Sequence, residues 1–424
     1  MSQSIEDHEI GGSDESDRLI ESGPGYRAGL RGLPRSLDIS TIGAGVVAAV
    51  FGCTGPALIV VNGATDAGLT TAQTVSWVST VYLVGGFISL IMALYYKQPI
   101  VGAWSIPAAA LVVSSLADHS LPEMIGAYFT ASVLVLLLGL SGFVRTLVRW
   151  LPMPILMAMI GGVLFKYALN IVGAAETRPF LVGAAVVGFL LLSRFVKAVP
   201  GVIGALVFGI VAAVLTDSFA SANVGTEFTL PTWVGVDFNP LTMLGVGIPL
   251  ALVIQAENIQ SMGVLIAEKY RPPVNNITVV SGAASLLVSG FGGHNASIAG
   301  PMTAICGSDQ AGPHHDRRYA AAVVNGIIFV TFGFFASIAV GLVSALPGEL
   351  ISTVAGLAMF GVLIIAFRGA FTEGRYKLGA LVALVVAMGD VTILGISSPF
   401  WALLAGLGVS LLLEFDDFKT RSHS

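Results

Sequence analysis

From Ile39 onward, apolar stretches of about 20 residues alternate with short polar breaks. That is the length a helix rising 1.5 Å per residue needs to cross about 30 Å of hydrocarbon. The pattern predicts spans over 39–61, 73–95, 121–142, 153–173, 179–193, 199–216, 241–266, 274–291, 318–343, 347–367, 376–394 and 396–414. Two shorter apolar pieces, 99–116 and 292–307, open on polar or Pro/Gly-rich residues, which predicts half-helices preceded by extended chain. The expected fold is therefore an all-α integral membrane protein of fourteen segments. A barrel is disfavoured, because its strands would alternate polar and apolar residues.

Composition agrees with this pattern. The 424 residues are 55% hydrophobic and 11% charged, with 51 glycines and a mean hydropathy of +0.87; soluble domains carry about 25% charged residues. A net charge of −5 supplies no basic field for nucleic acid. Cys53 and Cys306 lie in apolar surroundings without metal-ligand spacing and read as small buried hydrophobes, so neither a metal nor a cofactor is expected. Residues 1–36 carry seven acids and four arginines among Gly, Ser and Pro, which reads as a disordered acidic tail.

The basic residues orient the chain. With a cytoplasmic N-terminus, 18 of the 20 Lys and Arg residues fall in cytoplasmic turns or tails, Lys166 and Arg178 being the exceptions. One missed span would invert every later loop, so this asymmetry supports fourteen segments and two cytoplasmic termini in the cell (inner) membrane.

The two halves of the chain share landmarks. Gly52-Cys53-Thr54-Gly55-Pro56 recurs as Gly245-Val246-Gly247-Ile248-Pro249, Ser105-Ile106-Pro107 has a looser counterpart in Ser297 to Pro301, and Leu151-Pro152 matches Leu346-Pro347, at offsets of 192 to 195. Seven spans per half is odd, so the second copy enters the membrane from the opposite side, giving a 7+7 inverted repeat of the kind that builds secondary transporters. In such repeats, broken helices in matching positions mark a binding site near the midplane. Here these are segments 3 and 10. Their N-termini would aim partial positive charge at a common cavity, which favours an anion or an electron-rich group.

Ser105 fits the N-cap of the first half-helix, with Pro107 in its first turn, and His294-Asn295-Ala296-Ser297 fits the start of the second. For these residues, backbone satisfaction and substrate contact stand as equal alternatives. Trp104, Phe51, Tyr82 and Phe291 could line the cavity, although packing or lipid contact explains most membrane aromatics. His294 could titrate or satisfy broken backbone. Glu257 alone among the acids sits deep in a span, and it shares a helix face with Gln260 and Ser261. An ionised carboxylate there is costly, so it either faces a wet cavity or carries a proton; a structural glutamate is the alternative.

The stretches Gln98-Pro99-Ile100-Val101-Gly102-Ala103-Trp104-Ser105-Ile106-Pro107, Phe291-Gly292-Gly293-His294-Asn295 and Arg317-Arg318-Tyr319 resemble the bacterial benzoate:proton symporter (BenE) family over about Ser40 to Glu414. The resemblance implies a fold similar to uracil/xanthine permeases and sulfate-permease-like carriers. Its core domain would cover 37–142 and 240–343, its gate domain 143–239 and 344–415, with tails at 1–36 and 416–424. It further implies proton-coupled uptake of benzoate or a similar aromatic carboxylate by an elevator-type motion, with no enzyme activity. Phe51, Trp104, Ser105, Gln260, Ser261, His294, Asn295, Ala296 and Ser297 would bind the substrate and Glu257 would carry the proton. The nucleobase carriers add a histidine four residues after the glutamate, where this chain has Ser261, and a second glutamate in segment 10, where it has Ala296 to Gly300. A nucleobase or inorganic-anion carrier of the same fold, and a passive anion channel, remain the alternatives. The expected partners are a small aromatic anion, protons, the lipid bilayer and, as an open alternative, a second copy of the chain.

Overall fold

The computed structural model describes residues 21–144, 152–196, 201–219, 230–372, 374–389, 393 and 398–421. Among these, six helices are long and apolar enough to cross a membrane: Ile39–Asp66, Thr71–Tyr96, Leu121–Leu140, Met153–Thr177, Pro240–Ile266 and Gly348–Phe371. A bent pair over 315–345 makes a seventh, and six shorter apolar helices fill the bundle.

Several expected spans are interrupted, each for a local reason. The first breaks at Thr54, where one helix ends at Cys53 and the next begins at Gly55. Pro56 supplies no N–H to the helical ladder and disfavours helical backbone just before it, and the Thr54 hydroxyl turns back to the Val50 carbonyl at 2.8 Å. The matching landmark in the second half, just before Pro249, is a π-helical turn over Met243–Gly247. The span expected over 318–343 bends by 71° at Phe335. The 376–394 span is helical over Lys377–Met388, and most of its remainder lies outside the described residues.

The two short segments fold as extended chain followed by a half-helix, Ile106–Ser115 in the first half and Gly300–Gly307 in the second. One start differs from the expected one. The second half-helix begins at Gly300 rather than near 294–297, because Ser297 and Ile298 are held in a strand and Pro301 sets the first turn. A second correction concerns the tail: Tyr26–Ser36 is an ordered helix, not disordered chain, while residues 1–20 lie outside the described residues.

The helices pack as two sets. Ile39–Cys53, Thr71–Tyr96, Leu121–Leu140, Ile248–Ala267, Val274–Ser289 and Tyr319–Phe334 lie mainly against one another and enclose both half-helices. Met153–Thr177, Pro179–Phe195, Gly201–Leu215, Gly348–Phe371, Lys377–Met388 and Ser398–Leu413 form the other set. Small residues allow close approach in each. A Cβ on Gly86 would stand 2.7 Å from the Gly326 carbonyl oxygen, and one on Gly188 only 2.2 Å from that of Gly204.

Candidate functional site

Non-helical backbone inside a membrane bundle must find partners for every N–H and C=O. Here the two extended segments find them partly in each other. Gly102 pairs with Ile298 and Ala103 with Ser297 in a two-residue antiparallel ladder, and the Ala299 N–H donates to the Val101 carbonyl at 2.9 Å. Side chains of the flanking helices supply further partners. The Ser89 hydroxyl accepts from the Gly102 N–H at 2.8 Å and donates to its carbonyl at 3.0 Å. Ser285 does the same for Ala296, at 2.9 Å each way. Asn258 Oδ1 accepts from the Ile298 N–H at 3.1 Å, and the Ser261 hydroxyl donates to the Ile298 carbonyl at 2.8 Å.

This ladder brings the starts of the two half-helices together. Ser105 caps the first, its hydroxyl accepting from the Ala108 N–H at 3.3 Å. Its own N–H donates to Asn295 Oδ1 at 3.1 Å. The Ser105 hydroxyl donates to Glu257 Oε2 at 3.3 Å, and the Gly300 N–H, the first of the second half-helix, faces the Glu257 carboxyl group from the other side. Glu257 therefore sits where both helix N-termini converge, the position a free anion would favour. It is partly exposed to a cavity of about 20 Å³ between the two helix sets, lined by Pro107 and Gln260 on one side and Met157, Ile160, Val362 and Ala366 on the other. Such a space holds about one water molecule.

Beside it, His294 is fully buried and bonded at both ring nitrogens. The Trp77 indole N–H donates to Nδ1 at 2.9 Å, and Nε2 lies 3.3 Å from the Ser105 carbonyl oxygen. Indole nitrogen only donates and a carbonyl only accepts, so this geometry assigns the neutral tautomer with its proton on Nε2. The ring also meets Trp104 edge-on at 5.4 Å, Trp104 meets Tyr82 at 5.8 Å, and Tyr82 meets Phe332 at 4.5 Å. Phe51 is half-buried in the last turn before the Thr54 break, next to Gly52, whose carbonyl accepts from the Tyr82 hydroxyl. Phe291 lies apart, edge-on to Trp233 at 5.6 Å.

The structure thus gathers Trp104, Ser105, Glu257, Gln260, Ser261, His294, Asn295, Ala296 and Ser297 into one neighbourhood. Within it, the hydrogen bonds of Ser261, His294, Asn295, Ala296 and Ser297 go to the protein itself. Sequence reasoning overlooked Trp77, Ser89, Asn258 and Ser285. The available signal was polar residues inside apolar spans, since a hydroxyl or amide there has no water to bond and marks a place where backbone is open.

A second, larger cavity of about 570 Å³ lies between the breaks at Thr54 and Phe335 and the Gly201–Leu215 helix. It is apolar, lined by residues such as Leu58, Leu206, Ile210 and Phe332, and Glu257 does not reach it.

Solved structures share this architecture at low identity. The transmembrane domain of the cyanobacterial bicarbonate transporter BicA superposes with a TM-score of 0.58 at 14% identity, covering 87% of this chain and 97% of that one. SLC26A9 does so with a TM-score of 0.61 at 14% identity, covering 91% of this chain and 67% of that one. The murine SLC26A9 anion transporter in its inward-facing state gives 0.59 at 16%, covering 91% and 70%. The fold is that of multi-pass membrane carriers, and two broken segments meeting at a midspan carboxylate suit that class.

Within the class, the chain belongs to the BenE family, whose description is "Benzoate membrane transport protein" and which matches residues 35–412. It is 33% identical over 372 residues to the inner membrane protein YdcO of Escherichia coli, covering 88% of this chain and 95% of that one. To the benzoate membrane transport protein of Acinetobacter baylyi it is 27% identical over 379 residues, covering 89% and 96%. The protein is a membrane transporter, not an enzyme.

Proposed function

We propose that this transporter imports benzoate or a similar aromatic carboxylate together with protons. The observation that supports this reading most directly is the Glu257 carboxyl group, bonded by Ser105 at the start of one half-helix and facing the start of the other. A substrate carboxylate approaching the same donors meets an anion already there. Two unit charges 4 Å apart repel by about 4 kcal/mol at an effective dielectric constant of 20, roughly a thousandfold in affinity. Protonation of Glu257 removes that repulsion, so proton and substrate favour each other's binding. The substrate carboxylate would then bind Ser105 and the amides around Asn295 to Ser297, with its ring towards Trp104 and Phe51, and Gln260 and Ser261 flanking it.

In the same proposal the fourteen segments form a 7+7 inverted repeat, with both termini cytoplasmic, in the inner membrane. The core domain, 37–142 and 240–343, carries the site and slides against the gate domain, 143–239 and 344–415. The division of the helices into two packed sets is consistent with this, and the small seam cavity beside Glu257 would have to widen to admit a ring. The absence of a second carboxylate in segment 10 favours an apolar ring over a nucleobase.

Uptake of labelled benzoate into proteoliposomes tests the proposal. Wild-type protein should accumulate it when the inside is alkaline. Glu257→Gln, isosteric and neutral, should still exchange benzoate but lose accumulation driven by the proton gradient. Gradient-driven accumulation by the Gln variant overturns the coupling role. Competition by xanthine or bicarbonate, with none by substituted benzoates, overturns the substrate class.

A further inference from the structure

The helix Tyr26–Ser36 has three distinct faces. Gly29 and Ser36 are buried against the bundle, and a Cβ on Gly29 would stand 2.0 Å from the Leu94 carbonyl oxygen. That carbonyl lies in the last turn of the spanning helix Thr71–Tyr96, so the short helix packs against the end of that span. It is tied there on several sides. The Gly25 N–H donates to the Tyr95 carbonyl at 3.0 Å, and the Tyr319 hydroxyl to the Gly29 carbonyl at 2.8 Å. Just before it, the Glu21 carboxylate accepts from the N–H groups of Asn275 and Asn276 at 2.9 and 3.0 Å, closing the start of the Val274–Ser289 helix.

The other two faces point away from the protein. Arg27, Arg31 and Arg35 are all exposed and recur every four residues, which makes one cationic row. Beside that row run Tyr26, 45% exposed, and Leu30, 56% exposed, and the apolar exposure continues through Leu37 to Ile39, 92% exposed at the start of the first span. A protein-facing strip of small residues, an apolar strip and an arginine row on one short helix at a span end match an interfacial helix.

The geometry points to Tyr26–Ser36 as a binding surface for anionic phospholipid headgroups of the adjacent leaflet. The arginines hold the phosphates while Tyr26, Leu30 and Leu37 enter the acyl boundary. An alternative occupant is the chain's own acidic segment, with Glu6, Asp7, Glu9, Asp14, Glu15 and Asp17. That segment would answer the arginines, but its scattered Ile5, Ile10, Leu19 and Ile20 cover the apolar strip less well than acyl chains do, which is why lipid fits better. Because Glu21 and the helix are tied to the helix set that carries Glu257, the leaflet's charge would act on that set. The proposal does not depend on which substrate the carrier moves.

The test uses full-length protein in nanodiscs of equal phosphatidylglycerol and phosphatidylcholine, with retained lipid read by native mass spectrometry. Wild type should retain phosphatidylglycerol preferentially. Each arginine near an anionic surface is worth about fivefold in affinity, so Arg27→Gln/Arg31→Gln/Arg35→Gln should lower that preference at least about tenfold. A spin label at Leu30→Cys, with Cys53 and Cys306 replaced by Ala, should be more accessible to oxygen than to a water-soluble nickel chelate. An unchanged preference in the triple variant, or a label that favours the nickel chelate, overturns the proposal. So does a preference that emerges only after residues 1–20 are removed, which would assign the arginines to the acidic segment.

Discussion

Asn258 shows how one side chain can organise a membrane site. Its Oδ1 accepts both the Ile298 N–H and the Ser281 hydroxyl, at 3.1 and 3.0 Å. Asn258→Ala leaves a buried strand amide unpaired, a loss of about 1–3 kcal/mol. The detergent-solubilised variant should melt lower than wild type and transport poorly, and an unchanged melting temperature would show that water replaces the amide. At the membrane edge, Asp38 caps the first span, accepting from the Thr41 N–H at 2.8 Å. That backbone bond holds its carboxyl below the usual carboxylate range. A lowered folded-state pKa stabilises the protein above the unfolded value, near 3.9, and the contribution fades as pH falls through the lower folded value. Asp38→Ala should therefore cost about 1 kcal/mol at pH 7 and progressively less below pH 4, read by thermal melts across that range.

At the scale of elements, the extended segment runs so close to the Thr71–Tyr96 helix that glycine is required on both sides of the contact. A Cβ on Gly102 would stand 2.4 Å from Ile88 Cβ, and one on Gly85 would stand 2.7 Å from Ala103 Cα. Gly85→Ala or Gly102→Ala should force strand and helix apart, with overpacking costs of about 1–3 kcal/mol and a shifted Ser105. Gly43, where an added Cβ would meet nothing within 4 Å, is the control: Gly43→Ala should retain wild-type uptake and stability. Benzoate uptake and melting temperature of the three variants, measured together, separate close approach from general helix effects. The interruptions before Pro56 and Pro249 fell within spans read as continuous, but the two broken segments were legible in the chain, because Pro107 and Pro301 withhold an N–H from the helical ladder. The start of the second half-helix was not. Ser297 and Ile298 leave the helix for a ladder with Ala103 and Gly102, and no local signal announces a partner so distant in the chain.

At the scale of the whole molecule, the seam between the two helix sets is the surface along which an elevator motion would run. Ala366, on the Gly348–Phe371 helix, lines the small cavity beside Glu257 from the opposite helix set. Ala366→Phe should fill the seam and lower uptake at least tenfold while the protein still elutes as a folded species on size exclusion; undiminished uptake would place the moving surface elsewhere. The ordered Tyr26–Ser36 helix belongs to this scale as well. Its glycines and arginines read as disordered tail in isolation, and only the adjoining ends of three other helices give it a place to fold.

The apolar run lengths, the proline and glycine breaks and the single midspan acid are local properties, and the chain determined them alone: hydrocarbon accepts only hydrogen-bonded helices and penalises a charge wherever it falls. Tertiary structure decided what that acid touches. Ser105 and Glu257 are 152 residues apart, and Trp77 and His294 are 217 apart. Such pairings depend on how whole helices pack, and helix packing follows from shape complementarity over many residues rather than from any short stretch of sequence.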